Sequence, residues 1–363
     1  MLNNKSVAVV VACYNEASQI GRVLSTMPEF VDLIVVVDDC STDATAGTVK
    51  AFMAADCRSA RQIVKRETAY SDSPYDTANN MALDMDKEAE RFFAPSTVLR
   101  SDTSRVALVS HLKNSGKGAA VATGYKYARE HGIDCTAIMD GDGQMNPAEL
   151  ERVCLPVVNG VASYSKGNRF KHRAARRSIP RVRFFGNAVL SILTKIATGY
   201  WRVSDAQTGF TAISLEALEN IDIHRLYGSY GVYNDLLQKL NIAAFTVTEV
   251  PITPVYNVGE KSKMRIGKVM RKVSWLLVKL FFERLFKKYL LTNFHPLFLL
   301  YMASFLAFAI DIPITIRFLY AYFAGAGIWT AHLTLLTNLM LFSFQSLVFA
   351  MWFDMYDNEA LYV

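Results

Sequence analysis

The stretch Ala137-Ile138-Met139-Asp140-Gly141-Asp142-Gly143-Gln144 decides how this chain is read, because a short apolar run passes straight into two carboxylates separated by one glycine. Alternate residues of an extended segment point the same way, so Asp140, Asp142 and the amide of Gln144 are expected to converge on one hard divalent cation. Glycines at 141 and 143 would let the backbone approach a ligand closely. Taken alone, Asp-x-Asp fits a solvated turn after a strand equally well, so its surroundings have to decide.

Those surroundings alternate between strand and helix. Val7 to Cys13 is a continuous apolar run suited to a parallel strand covered on both faces. Ile20, Val23, Leu24 and Met27 make one helical stripe that Pro28 stops. Leu33 to Val37 predicts a strand ending at Asp38 and Asp39, and Ser41, Thr42 and Asp43 are cap candidates for a helix through Phe52. Val106 to Ser110, a helix from Gly118 to Glu130, Thr136 to Met139 and a helix opened by Pro147 continue the pattern. The class is a Rossmann-like, doubly wound α/β sheet, which binds ligands at the carboxyl ends of its strands, where Tyr14, Asp39 and Asp140 fall. Residues 54–105, rich in Ser, Asp, Thr and Arg, interrupt the rhythm and predict a surface insertion with a short helix from Thr77 to Phe93.

The last quarter of the 363 residues is different. Neither Tyr289 to Ile310 nor Phe318 to Phe353 contains an Asp, Glu, Lys or Arg, and each exceeds the roughly 20 apolar residues that cross a bilayer. Two spans are expected, at 290–310 and 331–353, with Asp311 to Thr330 connecting them. A turn at Gly325 and Gly327 that splits the second run into two short spans is the alternative. Ahead of them, over 266–288, Arg271, Lys272, Lys279, Arg284, Lys287 and Lys288 interleave with Trp275, Leu276, Phe281 and Leu285, predicting a basic amphipathic helix in the membrane interface. The positive charge places the catalytic part, residues 1–265, on the cytoplasmic side, and no secretory leader is evident before the first strand. Lys and Arg number 39 against 33 Asp and Glu, a net of +6, but no nucleic-acid recognition module accompanies the basic surface. The five cysteines lack metal or disulfide spacing and read as reduced core residues.

Ala12-Cys13-Tyr14-Asn15-Glu16, Val37-Asp38-Asp39-Cys40-Ser41-Thr42-Asp43, Lys113-Asn114-Ser115-Gly116-Lys117-Gly118-Ala119-Ala120 and the Asp140 segment together resemble, in order and rough spacing, family 2 of the glycosyltransferases, which have the GT-A fold. Lys166-Gly167-Asn168-Arg169, Asp205-Ala206-Gln207-Thr208-Gly209-Phe210 and Gly259-Glu260-Lys261-Ser262-Lys263-Met264 look like its dolichol-phosphate mannose synthase and polyisoprenyl-phosphate glycosyltransferase branch.

The resemblance implies an inverting transfer of a sugar from a GDP- or UDP-linked donor to a polyprenyl (dolichyl or undecaprenyl) phosphate at the cytoplasmic membrane face. Tyr14, Glu16, Asp39, Lys117 and Asp140 would bind the donor; Asp140, Asp142 and Gln144 would hold Mg2+ or Mn2+. Asp142, Asp205 and Arg169 would serve catalysis, with Asp205 positioning the acceptor, because a phosphate acceptor is already largely dianionic at neutral pH. Arg183, Lys261, Ser262 and Lys263 would meet the acceptor phosphate, although the arginine common just before the Gly-Glu segment is absent and Asn257 and Val258 stand there. Asp235 reads equally as a helix-start residue. Another lipid or glycan acceptor is the alternative, and a homo-oligomer is possible. A processive synthase lacks its Gln-x-x-Arg-Trp motif here, a nucleotidyltransferase its Gly-rich N-terminal loop, and a degenerate scaffold would have lost the carboxylates at 39, 140 and 142 that this chain keeps.

Overall fold

The computed structural model describes residues 1–56, 63–66, 70–100, 104–171, 173, 181–255, 266–325 and 330–363, and the side chains of all these except 181–188 and 266–269. Strands Val7–Cys13 (β1), Leu33–Asp38 (β2), Ser96–Arg100 (β3), Val106–His111 (β4), Cys135–Asp140 (β5), Tyr164–Asn168 (β6), Thr211–Ser214 (β7) and Val247–Pro251 (β8) form one sheet in the order β3-β4-β2-β1-β5-β7-β6-β8. Strands β4, β2, β1 and β5 run parallel, whereas β3 is antiparallel to β4 and β7 is antiparallel to both β5 and β6.

Apolar residues on both pleats of β1 explain the two layers. Val7, Val9 and Val11 pack with Ile34, Val36, Leu108 and Met139 beneath helices Ala17–Ser25, Thr45–Ala55 and Leu150–Val158. Ala8 and Val10 pack with Val35, Val37, Val109 and Ile138 beneath helices Lys117–Glu130 and Val232–Ile242. Pairing opposes Ala12 to Asp140, Cys13 to Asp38 and Asp38 to Ser110, so the carboxyl ends of four strands share one edge.

The structure departs from the sequence reading in several places. Part of the stretch expected to be a surface insertion is built into the sheet: after the helix Thr77–Ala89, β3 pairs with β4 through Val98 and Val109. The sheet is therefore mixed, with antiparallel strands among the parallel ones. The first apolar helix spans Pro296–Phe323, preceded by a π-helical turn at Lys287–Thr292, and it takes in Asp311 to Phe323 of the region expected to be a connection. Asp311 does not end it, because that side chain is buried rather than exposed to water. The second apolar helix is Thr330–Asp357. Both are long and apolar enough to cross a membrane, and at 28 residues each extends about 42 Å, beyond the roughly 30 Å hydrocarbon core. Gly325, at φ 68°, closes the first helix, so the described residues contain two long apolar helices rather than three short ones. The pair packs through Ser304 and Ser343, with Ser304 Oγ donating to the Ser343 carbonyl at 2.9 Å.

The helix Ile266–Phe286 is amphipathic as expected, with Leu276, Leu277, Leu280 and Leu285 buried and Trp275 exposed. Two of the cations expected at the interface over 266–288 are elsewhere. Arg284 is fully buried and Lys288 nearly so, because carboxylates and amides of the C-terminal segment draw both inward.

Candidate active site

Loop-to-loop hydrogen bonds join the strand ends into one floor. Asp39 N donates to Cys13 O (2.9 Å), Gly141 N to Ala12 O (3.0 Å), Asn15 N to Ser41 Oγ (2.9 Å) and Glu16 N to Thr45 Oγ1 (2.9 Å). Tyr14 stands partly exposed above this floor, at the end of β1.

Asp39 is buried and already engaged. Its Oδ1 accepts from Ser115 N and its Oδ2 from Gly116 N, both at 2.8 Å, and His111 Nδ1 lies 2.8 Å from Oδ1. A carboxylate accepts, so His111 Nδ1 donates, and Nε2 lies 3.0 Å from Thr123 Oγ1. Asp39 thus fixes the loop that carries Lys117. His111 was not singled out in the sequence; nothing in its local pattern distinguishes it from a core residue at a strand end.

Asp140 and Asp142 lie close enough for the charge of one to act on the other. Lys117 Nζ donates to Asp140 Oδ2 at 2.7 Å, and Gln144 meets Asp142 through its backbone N–H, 3.0 Å from Oδ1. The two glycines have structural reasons of their own: a Cβ at Gly141 would stand 2.5 Å from Cys13 Sγ, and Gly143 has φ 72°. Burial first, then the charge of Asp140, pushes the Asp142 carboxyl up to about 6, and Glu16 adds to the same field.

A second group lies across β6. Arg169 holds Asp205 with two prongs, Nε to Oδ2 at 2.8 Å and Nη2 to Oδ1 at 2.9 Å, and its backbone N–H adds a third bond at 3.0 Å. Burial alone would raise the Asp205 carboxyl, but the Arg169 bonds and charge, with Lys166 nearby, hold it below the usual carboxylate range. Such a group positions its neighbour and is a poor proton acceptor. Glu249 buttresses the arrangement, accepting from Asp205 N (2.9 Å), Ser204 N (3.0 Å) and Asn168 Nδ2 (2.7 Å). Lys166 is fully buried, donates to the Thr208 carbonyl, and is drawn down to about 8 by burial against the pull of Asp205 and Glu249. Lys117 and Lys166 each approach the Tyr233 ring at 5.2 Å, so one aromatic side chain adjoins both charge groups. Asp235 accepts from Tyr227 N at 2.8 Å and pairs with Lys239, a structural role. Lys261, Ser262 and Lys263, and the side chain of Arg183, lie outside the described residues.

Comparison with known proteins fits this layout. The profile described as glycosyl transferase family 2 matches residues 8–68 and 89–222, more than half of the chain. The chain belongs to glycosyl transferase family 2. It is 26% identical, over 70% of its own length and 87% of the other's, to a UDP-N-acetylglucosamine–dolichyl-phosphate N-acetylglucosaminyltransferase of Methanococcus voltae. It is 29% identical, over 48% of its length and 66% of the other's, to a polyprenol monophosphomannose synthase of Mycolicibacterium smegmatis. Among solved structures, a UDP complex of glucosyl-3-phosphoglycerate synthase from Mycobacterium tuberculosis superposes with a TM-score of 0.48 at 19% identity, covering 76% of this chain and 80% of that one. The mixed sheet is of the GT-A type, and this family 2 enzyme is a glycosyltransferase.

No group of three or more His, Cys, Asp or Glu side chains forms a metal cluster among the described residues. The Asp140 and Asp142 pair nevertheless suits a hard cation: two crowded carboxylates, one held partly protonated near neutrality, gain from a divalent charge beside them. If this pair holds Mn2+, the affinity of the purified glycosyltransferase for it should weaken about tenfold between pH 7 and pH 5, as the Asp142 carboxyl protonates through about 6. Titration of Mn2+ followed by spin resonance checks this, and a flat response across that range would contradict it.

Proposed function

We propose that this family 2 enzyme transfers one sugar, with inversion, from a nucleoside-diphosphate donor to the phosphate of a polyprenyl lipid at the cytoplasmic membrane face. The observation that carries the reading is the joining of an Asp140, Asp142 and Lys117 cluster to an amphipathic helix that leads into two long apolar helices. A catalytic centre held beside a bilayer suits an acceptor that cannot leave it. The names of the Methanococcus voltae and Mycolicibacterium smegmatis relatives, which refer to dolichyl phosphate and a polyprenol monophosphate product, support the same acceptor class.

In this mechanism Tyr14, Glu16 and the loop fixed by Asp39 border the nucleoside, and Asp140 and Asp142 would hold Mg2+ or Mn2+. When bound, the cation would neutralise charge developing on the departing diphosphate, so no protein acid has to protonate it. Lys117 lies within reach of the same charge. Arg169, held by Asp205, presents a fixed guanidinium toward the acceptor side. The acceptor phosphate attacks as a dianion, and no residue has to abstract a proton. Arg183, Lys261 and Lys263 supply interfacial positive charge for that phosphate, and Ser262 a hydroxyl that can donate to it.

Two-substrate kinetics test the acceptor. Arg183→Ala and Lys261→Ala are expected to lower polyprenyl-phosphate efficiency by roughly ten to a hundredfold, with nucleotide affinity changed little. Unchanged lipid kinetics in both variants would favour a different acceptor. Orientation is tested separately: a cysteine replacing Gly325 should be labelled from outside the cell, and one replacing Lys50 only after permeabilisation. Labelling of both from the same side would refute the two-crossing arrangement.

A further inference from the structure

Arg284 is the largest fully buried side chain among the described residues, and it serves neither the donor nor the acceptor group. Its guanidinium grips Asp354 with two bonds of 2.7 Å, Nη1 to Oδ1 and Nη2 to Oδ2, and both side chains are wholly inaccessible to solvent. The remaining donors reach backward: Nε to the Ala197 carbonyl at 3.1 Å and Nη2 to the Ile196 carbonyl at 3.0 Å. One side chain therefore joins three elements: the amphipathic helix Ile266–Phe286, the end of the helix Arg181–Thr198, and the end of the second apolar helix Thr330–Asp357. Gly199, at φ 80°, ends the helix Arg181–Thr198 and leaves the space, since a Cβ there would stand 2.7 Å from Arg284 Nη1. Tyr289 and Asn358 complete the knot, each donating to Asp354 Oδ1 at 2.9 Å, and Lys288 donates to Asn358 Oδ1 at 2.6 Å.

Stability does not require such a device. A buried ion pair seldom holds helices better than apolar side chains of the same volume, because desolvation cancels much of the attraction; its attested advantage is to fix one register. Here the fork geometry allows a single arrangement of three helices, where a leucine patch would tolerate sliding and rotation. The helix Arg181–Thr198 is a rod of 18 residues, about 27 Å long, that ends in the clamp; along it Ser191 Oγ donates to the carbonyl of Ser204, the neighbour of Asp205, at 2.7 Å.

We propose that Arg284 is a positioning residue for transfer to the lipid: by locking the end of this rod to the end of the second apolar helix, it sets the height above the bilayer of the Arg169–Asp205 group, which the rod meets through Ser204. The inference rests on the polyprenyl-phosphate reading of the acceptor. Its test uses the full chain in phosphatidylcholine–phosphatidylglycerol nanodiscs, with Arg284→Met/Asp354→Leu replacing the ion pair by apolar volume and Arg284→Lys keeping the charge without the fork. The double variant should stay folded and keep wild-type affinity for the nucleoside diphosphate. Its KM for a long, bilayer-embedded polyprenyl phosphate should rise at least tenfold, while its KM for a short, water-soluble prenyl phosphate in detergent stays within twofold of wild type. Arg284→Lys should show the same split at smaller size, and it carries the test if the double variant does not fold. Folded variants with unchanged KM for the embedded lipid, or with equal losses for both acceptors, would overturn the proposal. Wild-type protein that uses neither prenyl phosphate would instead overturn the acceptor reading beneath it.

Discussion

Asp142→Asn is expected to reduce sugar transfer by about a thousandfold or more in saturating Mg2+ or Mn2+, and Asp140→Asn to do nearly the same. Both carboxylates stand at the carboxyl end of β5, outside the apolar layers, so the fold should survive either change. The loss should appear in kcat as well as in donor affinity, because the leaving diphosphate needs the cation most when it departs. Asp140→Asn has a second consequence. It removes the charge that, after burial, does most to raise Asp142, so the Asp142 carboxyl should titrate below about 6 in that variant. Turnover measured in metal and in excess chelator checks the first point, and wild-type turnover by either variant would remove these residues from the mechanism.

Arg169→Ala is expected to cost both activity and stability. Asp205 has no exposed surface, and taking away its two-pronged partner leaves a buried charge that Lys166 compensates only from a distance. Breaking one side of such a pair costs about 3–5 kcal/mol. The sign of the pH dependence follows. In the wild type the Asp205 carboxyl is depressed, so its contribution is present above the unfolded-state value and lost as pH falls through the depressed one. Without Arg169, burial dominates and raises the carboxyl, so the folded state binds the proton more tightly than the unfolded chain. The deficit relative to wild type should then be larger at pH 7.5 than at pH 5. Thermal unfolding at the two pH values tests this; equal deficits would mean that Asp205 is compensated by other groups.

The residues that were legible in advance share one property: their pattern is local. Val7–Cys13 is apolar at every position because both pleats are buried, and its limits could be read to the residue. Asp140 ends a strand whose apolar run is plain in the sequence, and Asp142 stands in the turn directly after it, so their position at the carboxyl edge of the sheet was legible. Other features depend on partners distant in sequence. Strand β3 is exposed at Ser96, Thr97, Val98 and Leu99, so it has no apolar run and is a strand only because β4 pairs with it. Strand β6 carries Lys166 and Asn168 fully buried, and their partners, Thr208 and Glu249, come from segments more than forty residues away. His111 became informative only with Asp39 beside it, 72 positions earlier. Arg284 and Lys288 looked like interfacial cations because nothing nearby in sequence signals Asp354 or Asn358. Asp311 misled in the opposite direction: a charge normally marks the end of an apolar span, yet this one is buried within the helix Pro296–Phe323.

The central claim is transfer of a sugar to a lipid phosphate, and the most direct measurement detects its product. Purified full-length protein would be incubated with a panel of labelled GDP- and UDP-sugars, a polyprenyl phosphate and Mg2+ or Mn2+, then extracted into organic solvent and analysed by mass spectrometry. The expected result is a single sugar on the polyprenyl phosphate with at least one donor, absent for Asp142→Asn. Consumption of a donor with the label going to water or to a water-soluble acceptor, and never to the lipid, would contradict it.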